Sequence, residues 1–275
     1  MRVFAISDLH VDYKENLAWV AQLSDRDFCH DVLLLAGDVS NRTERMAETL
    51  GMLRRKFARV FFVPGNHDLW VKSDNKSNSL VKFYELMDLC VELGVETEAA
   101  RVAGVRIVPL FSWYEKPEEG SDSLFVAKEG EDPTLSMWSD NRLILWPASE
   151  RPIAQYFLDK NPTCFDGEGV AITFSHFLPR QELIFGSRNR VTKVKPSRRN
   201  PHPEFNFSRV AGTAALDRQL RALGSILHVY GHQHLNRWWE IDGVTYVSHC
   251  LGYQRERKVG IVCGLDEGPR LVWED

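Results

Sequence analysis

"FFVPGNHDLW", Phe61 to Trp70, is an apolar run that breaks at Pro64-Gly65 and then releases an amide, an imidazole and a carboxylate in succession. Two earlier runs end alike. "RVFAISDLH", Arg2 to His10, closes on Asp8 and His10, and "DVLLLAGDVS", Asp31 to Ser40, passes through Gly37-Asp38. Short runs of Val, Leu, Ile and Phe that stop at turn residues read as strands buried on both faces, which places Val3–Ser7, Val32–Ala36 and Val60–Val63 in a largely parallel sheet. Glu15–Leu23, Arg42–Phe57 and Leu80–Leu93 carry apolar residues at helical spacing. The βαβ rhythm predicts a covered sheet, and in such sheets ligands gather beyond the carboxyl ends of the strands. Asp8, Asp38 and Asn66 each fall at that rim.

Further along, Val170–Phe174 and Ile226–Tyr230 read as strands with a helix near Thr213–Leu223. Trp238–Ile241 and Val244–Ser248 flank Asp242-Gly243, a hairpin signal. Val259–Cys263 and Arg270–Trp273 are expected to complete a second sheet. Residues 112–147 mix Trp113, Tyr114, Phe125, Trp138 and Trp146 with acids and prolines, which reads as a loop insertion too aromatic for a linker. A basic stretch, Arg180 to Arg209, holds Arg188, Arg190, Lys193, Lys195, Arg198 and Arg199; it reads either as a solvated surface loop or as a nucleic-acid contact.

The chain is 44% hydrophobic and 26% charged, a soluble globular composition, and its net charge of −4 argues against a protein that coats nucleic acid by charge alone. No apolar run approaches the roughly 18 residues that suggest a membrane-spanning helix. Five scattered cysteines without a C-x-x-C pair predict reduced thiols. With no basic segment and apolar h-region at the N-terminus, the expected location is the cytoplasm.

Two more strand ends carry imidazoles: "AITFSHFLP" delivers His176, and "ILHVYGHQH" delivers His232 and His234. Imidazole with carboxylate and amide oxygen suits borderline metals, here Mn or Fe first, with Zn, Co or Ni as alternatives. Asp8-x-His10 and His232-x-His234 have the period of an extended strand, which would put each pair on one face. Seven such donors are too many for one ion with an open position, but they suit two ions bridged by a carboxylate, for which Asp38 is the natural choice. Two ions roughly 3.5–4 Å apart clamp a phosphoryl group and acidify the water between them to hydroxide near neutral pH.

Asp8-Leu9-His10, Gly37-Asp38, Gly65-Asn66-His67-Asp68, His176 and Gly231-His232-Gln233-His234, in that order, resemble the calcineurin-like metallophosphoesterase superfamily. The resemblance implies two facing mixed β-sheets flanked by helices, one domain over residues 1–275, and loop insertions at about 112–147 and 178–210. It also implies that Asp8, His10 and His234 hold one metal, that Asn66, His176 and His232 hold the other, and that Asp38 bridges. His67 would face the substrate and assist the leaving group, while Asp68 either orients His67 or caps a turn. "GDVSNRT" lacks the second Asp and the Gly expected of the protein Ser/Thr phosphatase branch. The expected substrate is a phosphodiester or phosphomonoester, a small molecule first. Arg180 is a candidate for an anionic substrate group and His249 for a place near the site; His228 is expected in the core. Two other readings stand beside the hydrolase: a nuclease using the basic 180–209 segment, and a non-catalytic scaffold on the same fold.

Overall fold

Residues 1–148, 151–164, 169–185, 202–266 and 268–274 are described by the computed structural model. The basic residues Arg188, Arg190, Lys193, Lys195, Arg198 and Arg199 lie outside the described residues, so the nuclease reading gains nothing from the fold.

The first half alternates as its sequence predicts: β1 (Arg2–Ile6), α1 (Lys14–Gln22), β2 (Val32–Ala36), α2 (Thr43–Lys56), β3 (Arg59–Val63) and α3 (Ser79–Leu93). Then come β4 (Ala100–Val102), β5 (Val105–Pro109), the short α4 (Asp140–Leu143), α5 (Ile153–Leu158), β6 (Ala171–Phe174), α6 (Glu182–Phe185), α7 (Ala214–Ala222), β7 (Ser225–Tyr230), β8 (Arg237–Ile241), β9 (Val244–Ser248), α8 (Gln254–Lys258) and β10 (Arg270–Glu274). Helix ends follow local chemistry. Asn78 accepts from the Val81 amide to start α3, and Gly94, at φ 65°, stops it in the left-handed region. The last turn of α2 holds Arg54, Arg55 and Lys56, which complement the negative end of the helix dipole.

Two sheets result, ordered β10-β1-β2-β3 and β4-β5-β6-β7-β9-β8. β1, β2 and β3 run parallel, as do β5, β6, β7 and β9, while β10, β4 and β8 are antiparallel edges. Both sheets are thus mixed, as expected. Alternate residues explain the apolar runs. Val3, Ala5, Leu34, Phe61 and Val63 meet Ile107, Ile172, Phe174, Val229 and Val247 between the sheets. Their neighbours Phe4, Ile6, Leu33, Leu35 and Phe62 pack outward with Val20, Met46, Leu50 and Phe83 of the helices. A third cluster joins Val108, Tyr230 and Tyr246 to Leu216 and Leu220 of α7. Strands covered on both faces need apolar residues at every position, and β2 is fully buried along its length.

The hairpin of β8 and β9 forms as expected, and the chain after it departs from expectation. Val259–Cys263 is no strand: it follows α8, turns at Gly260 (φ 75°), and its Cys263 carbonyl accepts from Asn236 instead of joining a ladder. β10 returns to pair with β1, so it closes the first sheet and not the second. β4 and β5 were not anticipated, although their turn, Ala103-Gly104, has positive φ at both residues, as Asp242-Gly243 does between β8 and β9. All five cysteines are free. Among the described residues no helix is long and apolar enough to cross a membrane.

Candidate metal centre

The rim where β1, β2, β3, β6 and β7 end is continued by loops that still hydrogen-bond to one another: Asp8 N donates to Gly37 O, His10 N to Asp38 O, and Gly231 N to His176 O, each at 2.9 Å. The chain does not stay extended there. Asp8, His10, Asp38, His232 and His234 have φ of 51°, 43°, 56°, 71° and 51°. The expectation that each D-x-H or H-x-H pair shares the face of an extended strand is therefore wrong; β1 stops at Ile6 and β7 at Tyr230. Left-handed turns, tolerated best by Asp, Asn and His among residues with a Cβ, bring the side chains inward instead. Gly65 shows why no side chain fits at one position: a Cβ there would sit 2.2 Å from Asp38 Oδ1 and 2.7 Å from the His176 ring.

Asp68 holds these turns together. Its Oδ2 accepts from the amides of Asp38 and Gly65, and its Oδ1 from those of Val39 and Ser40, at 2.8–3.0 Å. Of its two expected roles the turn cap is the one observed. Asp38 Oδ1 accepts from the His67 amide at 2.9 Å, and Asp8 Oδ1 from that of His232 at 3.0 Å. Ligand-type side chains thus fix the backbone of their neighbours.

Asp8, His10, Asp38, His176, His234 and His67 converge in three overlapping groups, each with its ligand atoms within 4.8 Å of one another: Asp8, His10 and His234; His10, Asp38 and His67; Asp8, Asp38 and His176; His232 falls in none of them. His10 Nε2 faces His234 Nε2 at 3.0 Å. Two imidazole lone pairs at that distance require a cation or a proton between them. Asp38 turns Oδ2 toward His10 (3.8 Å) and Oδ1 toward His176 (3.5 Å), one oxygen to each side. Asn66 Oδ1 lies 3.2 Å from His176 Nε2. His232 stands next to His176, with ring centroids 5.1 Å apart, and donates Nε2–H to Val210 O, which leaves Nδ1 free to ligate. Burial, above all, drives His10 and His232 well below the ordinary histidine range, so both rings are neutral as ligands must be. Asp38 is pushed upward by burial and by the nearby Asp68 and Asp8 charges. Buried carboxylates with no lysine or arginine beside them among the described residues are what a bound cation would relieve. The donor set fits metal ions.

His67 is the most exposed of the cluster, with 19% of its side chain accessible. Burial of the remainder lowers it to about 3, so the ring is neutral and offers one N–H. It stacks on Trp70 (centroids 3.7 Å, planes 29° apart) at the base of a cleft of about 420 Å³ shared with Tyr13, Trp138, Tyr253 and Arg255. A second lobe of about 210 Å³ runs past His232 and His234 to Phe207 and Gln233.

Sequence reasoning missed the residues that orient the donors. Glu256 lies 2.8 Å from His234 Nδ1, and Asp140 accepts from Asn66 Nδ2 at 3.0 Å. Nothing in their neighbourhoods marks them: one sits in a charged helix, the other in the aromatic insertion. Two tentative substrate contacts are engaged elsewhere. Arg180 is bound to Glu182, Asp217 and Asp242, and lines neither lobe of the cleft. His249 reaches Gly268 O at 3.1 Å, and its carbonyl supports the Ser7 amide. His228 is a core residue, as expected, held by Thr173 and Ser175.

The family model for calcineurin-like phosphoesterases matches residues 1–236. The chain belongs to that family. As a calcineurin-like phosphoesterase it is a phosphoric ester hydrolase that works with divalent metal ions. A curated relative, the [acyl-carrier-protein] phosphodiesterase PptH of Mycobacterium tuberculosis, is 29% identical over 274 residues, covering 92% of this chain and 78% of the relative. The crystal structure of the phosphopantetheinyl hydrolase PptH from that organism matches with a TM-score of 0.68 at 25% identity, over 94% of this chain and 91% of the other.

Proposed function

We propose that this phosphoesterase cleaves a phosphodiester carried on a protein, of the kind that links a phosphopantetheine arm to an acyl carrier protein. The observation that carries the reading is the placement of the donor cluster and His67 at the base of an open two-lobed cleft, one lobe of about 420 Å³ and the other of about 210 Å³. A diester has a group on each side of phosphorus, and the two lobes offer each group its own space. The relative's activity on acyl carrier protein points the same way.

In this reading Asp8, His10 and His234 would hold one ion, Asn66, His176 and His232 the other, and Asp38 would be shared between them. The donor set admits Mn or Fe, which we take first, with Zn, Co or Ni as alternatives. Two ions held there would supply charge neutralisation for the phosphoryl oxygens and a more acidic water. The chain's own contributions are positional. Asp68 fixes the turns that present Asp38 and Asn66, and Trp70 holds the His67 ring flat against the cleft wall. His67 gives its N–H to the leaving oxygen as the bond breaks, stabilising charge that develops there. Tyr253, stacked on His10 at 4.6 Å, keeps water from one side of the donors. We further take residues 1–275 as one domain, since β10 near the end of the chain pairs with β1 at its start, and place the protein in the cytoplasm.

The test is hydrolysis of bis-p-nitrophenyl phosphate against p-nitrophenyl phosphate, with added Mn²⁺ and with chelator, alongside release of phosphopantetheine from holo acyl carrier protein followed by mass spectrometry. Diester preference, metal dependence and conversion of the holo carrier are expected. Turnover indifferent to chelator would sink the metal assignment, and an untouched holo carrier would sink the substrate class.

A further inference from the structure

We propose that Asp140, contributed by the aromatic insertion, is a positioning residue that sets two site groups at once: the carbonyl of Asn66 toward the metals and the ring of His67 toward the substrate. The inference rests on Asn66 serving as a ligand in the reading above.

Asp140 is 3% exposed at the first residue of α4. Its Oδ1 accepts from Trp70 Nε1 at 2.7 Å and from Asn66 Nδ2 at 3.0 Å. An indole N–H only donates, so Oδ1 of the carboxylate accepts from both partners. The carboxamide of Asn66 must therefore turn its NH₂ to Asp140, and its oxygen is left facing His176 Nε2. An unheld carboxamide rotates by half a turn between nearly isosteric poses, and the wrong pose offers a cation two N–H groups instead of a lone pair. The same Asp140 oxygen fixes the Trp70 indole, whose face lies against His67 with centroids 3.7 Å apart. Tyr114, also from the insertion, donates to Asp140 Oδ2 at 3.2 Å and completes the hold. Partners that orient ligands from behind typically change metal affinity or activity by about 10–100-fold when removed.

The test is Mn²⁺ binding by calorimetry, together with kcat and KM for bis-p-nitrophenyl phosphate, on the wild-type chain and three variants whose melting temperatures are measured in parallel. Asp140→Ala is expected to weaken one of the two Mn²⁺ sites by about 10–100-fold and to lower kcat more than it changes KM. Asp140→Asn keeps the Oδ1 acceptor and is expected to stay within about threefold of wild type in both readouts. Trp70→Phe, which cuts only the branch to His67, is expected to keep both ions and still lose about tenfold in kcat. Normal Mn²⁺ binding in Asp140→Ala, or Asp140→Asn as impaired as Asp140→Ala, would overturn the inference while leaving the metal centre itself intact. Wild-type protein that takes up no Mn²⁺ would remove Asn66 as a ligand and the inference with it. Should Asp140→Ala fail to fold, Trp70→Phe decides: an unchanged kcat there refutes the role.

Discussion

The loops that end β1, β2, β3 and β7 and the insertion at residues 112–147 both reach the cleft, and they are held by different forces. The loops are tied by main-chain hydrogen bonds: parallel rungs run on past the strands, and Asp68 alone satisfies four amides. The insertion has little regular structure beyond α4 and is held mostly by side chains, through rings and through ion pairs from Arg209 to Glu131 and Arg218 to Asp122. Trp113 packs on Tyr114, Trp146, Phe157 and Phe177, and Trp138 stacks on Phe205 at 5.4 Å while meeting the edge of His232. Backbone-tied loops fix atoms to within the tolerance that metal ligation demands, whereas packed rings shape a wall and leave room for variation between substrates. Asp140 is the point where the second kind of structure acts on the first.

Four experiments would break or sharpen this contrast. The largest effect is expected from Asp38→Asn, which keeps shape and tolerance of a positive φ but removes the charge between the two donor groups. Turnover should fall on the order of 10³-fold or more, because several kcal/mol of charge stabilisation leave with the metals; elemental analysis should find the protein depleted, and a fully loaded variant would contradict the bridging role. His67→Ala should slow turnover by about 10²–10⁴-fold with metal content near normal. Loss of both ions in that variant would make His67 a ligand, as its place beside His10 and Asp38 allows.

A stability probe comes next. Lys82 is fully buried, and its Nζ is bonded to the carbonyls of Asn41 and Trp70 at 2.7 Å and to Asp74 at 2.9 Å. Asn41 and Trp70 both line the larger lobe. Lys82→Met leaves those acceptors unmet and should destabilise the fold by roughly 3 kcal/mol; denaturant titration reads it, and a loss below about 0.5 kcal/mol would show that the loop does not depend on this ammonium. The smallest effect is expected at the cleft mouth. Arg255 is exposed, lies over the Tyr253 ring at 5.0 Å, and among the described residues is the only lysine or arginine lining either lobe. Arg255→Glu should raise KM for an acidic protein-borne diester about tenfold and leave bis-p-nitrophenyl phosphate within about twofold. Equal changes for both substrates would assign Arg255 to packing.

The same contrast explains what could be read from the sequence. Asp8, Asp38 and Asn66 announced themselves because each follows an apolar run that only a buried strand explains, whereas the two facing sheets were implied by the family resemblance those residues carry. The left-handed turns were invisible to a rule based on strand period, since they begin where the strand stops. Asp140 and Glu256 could not be found because a carboxylate that orients a ligand needs no local pattern, only a position in space. Arg180 misled for the complementary reason: proximity to His176 in the chain says nothing of Asp217 and Asp242, which neutralise it from other elements.

The backbone at Asp8, His10, Asp38, His232 and His234 also dictates how this centre should be dissected. Alanine at such a residue deletes a donor atom and in addition forces a methyl-bearing residue to keep a torsion it dislikes by about 1 kcal/mol. Glycine deletes the donor without that torsional penalty, although it also loosens the unfolded chain. Subtracting the glycine result from the alanine result, residue by residue, would measure how stiffly the folded chain insists on its cage before any cation arrives.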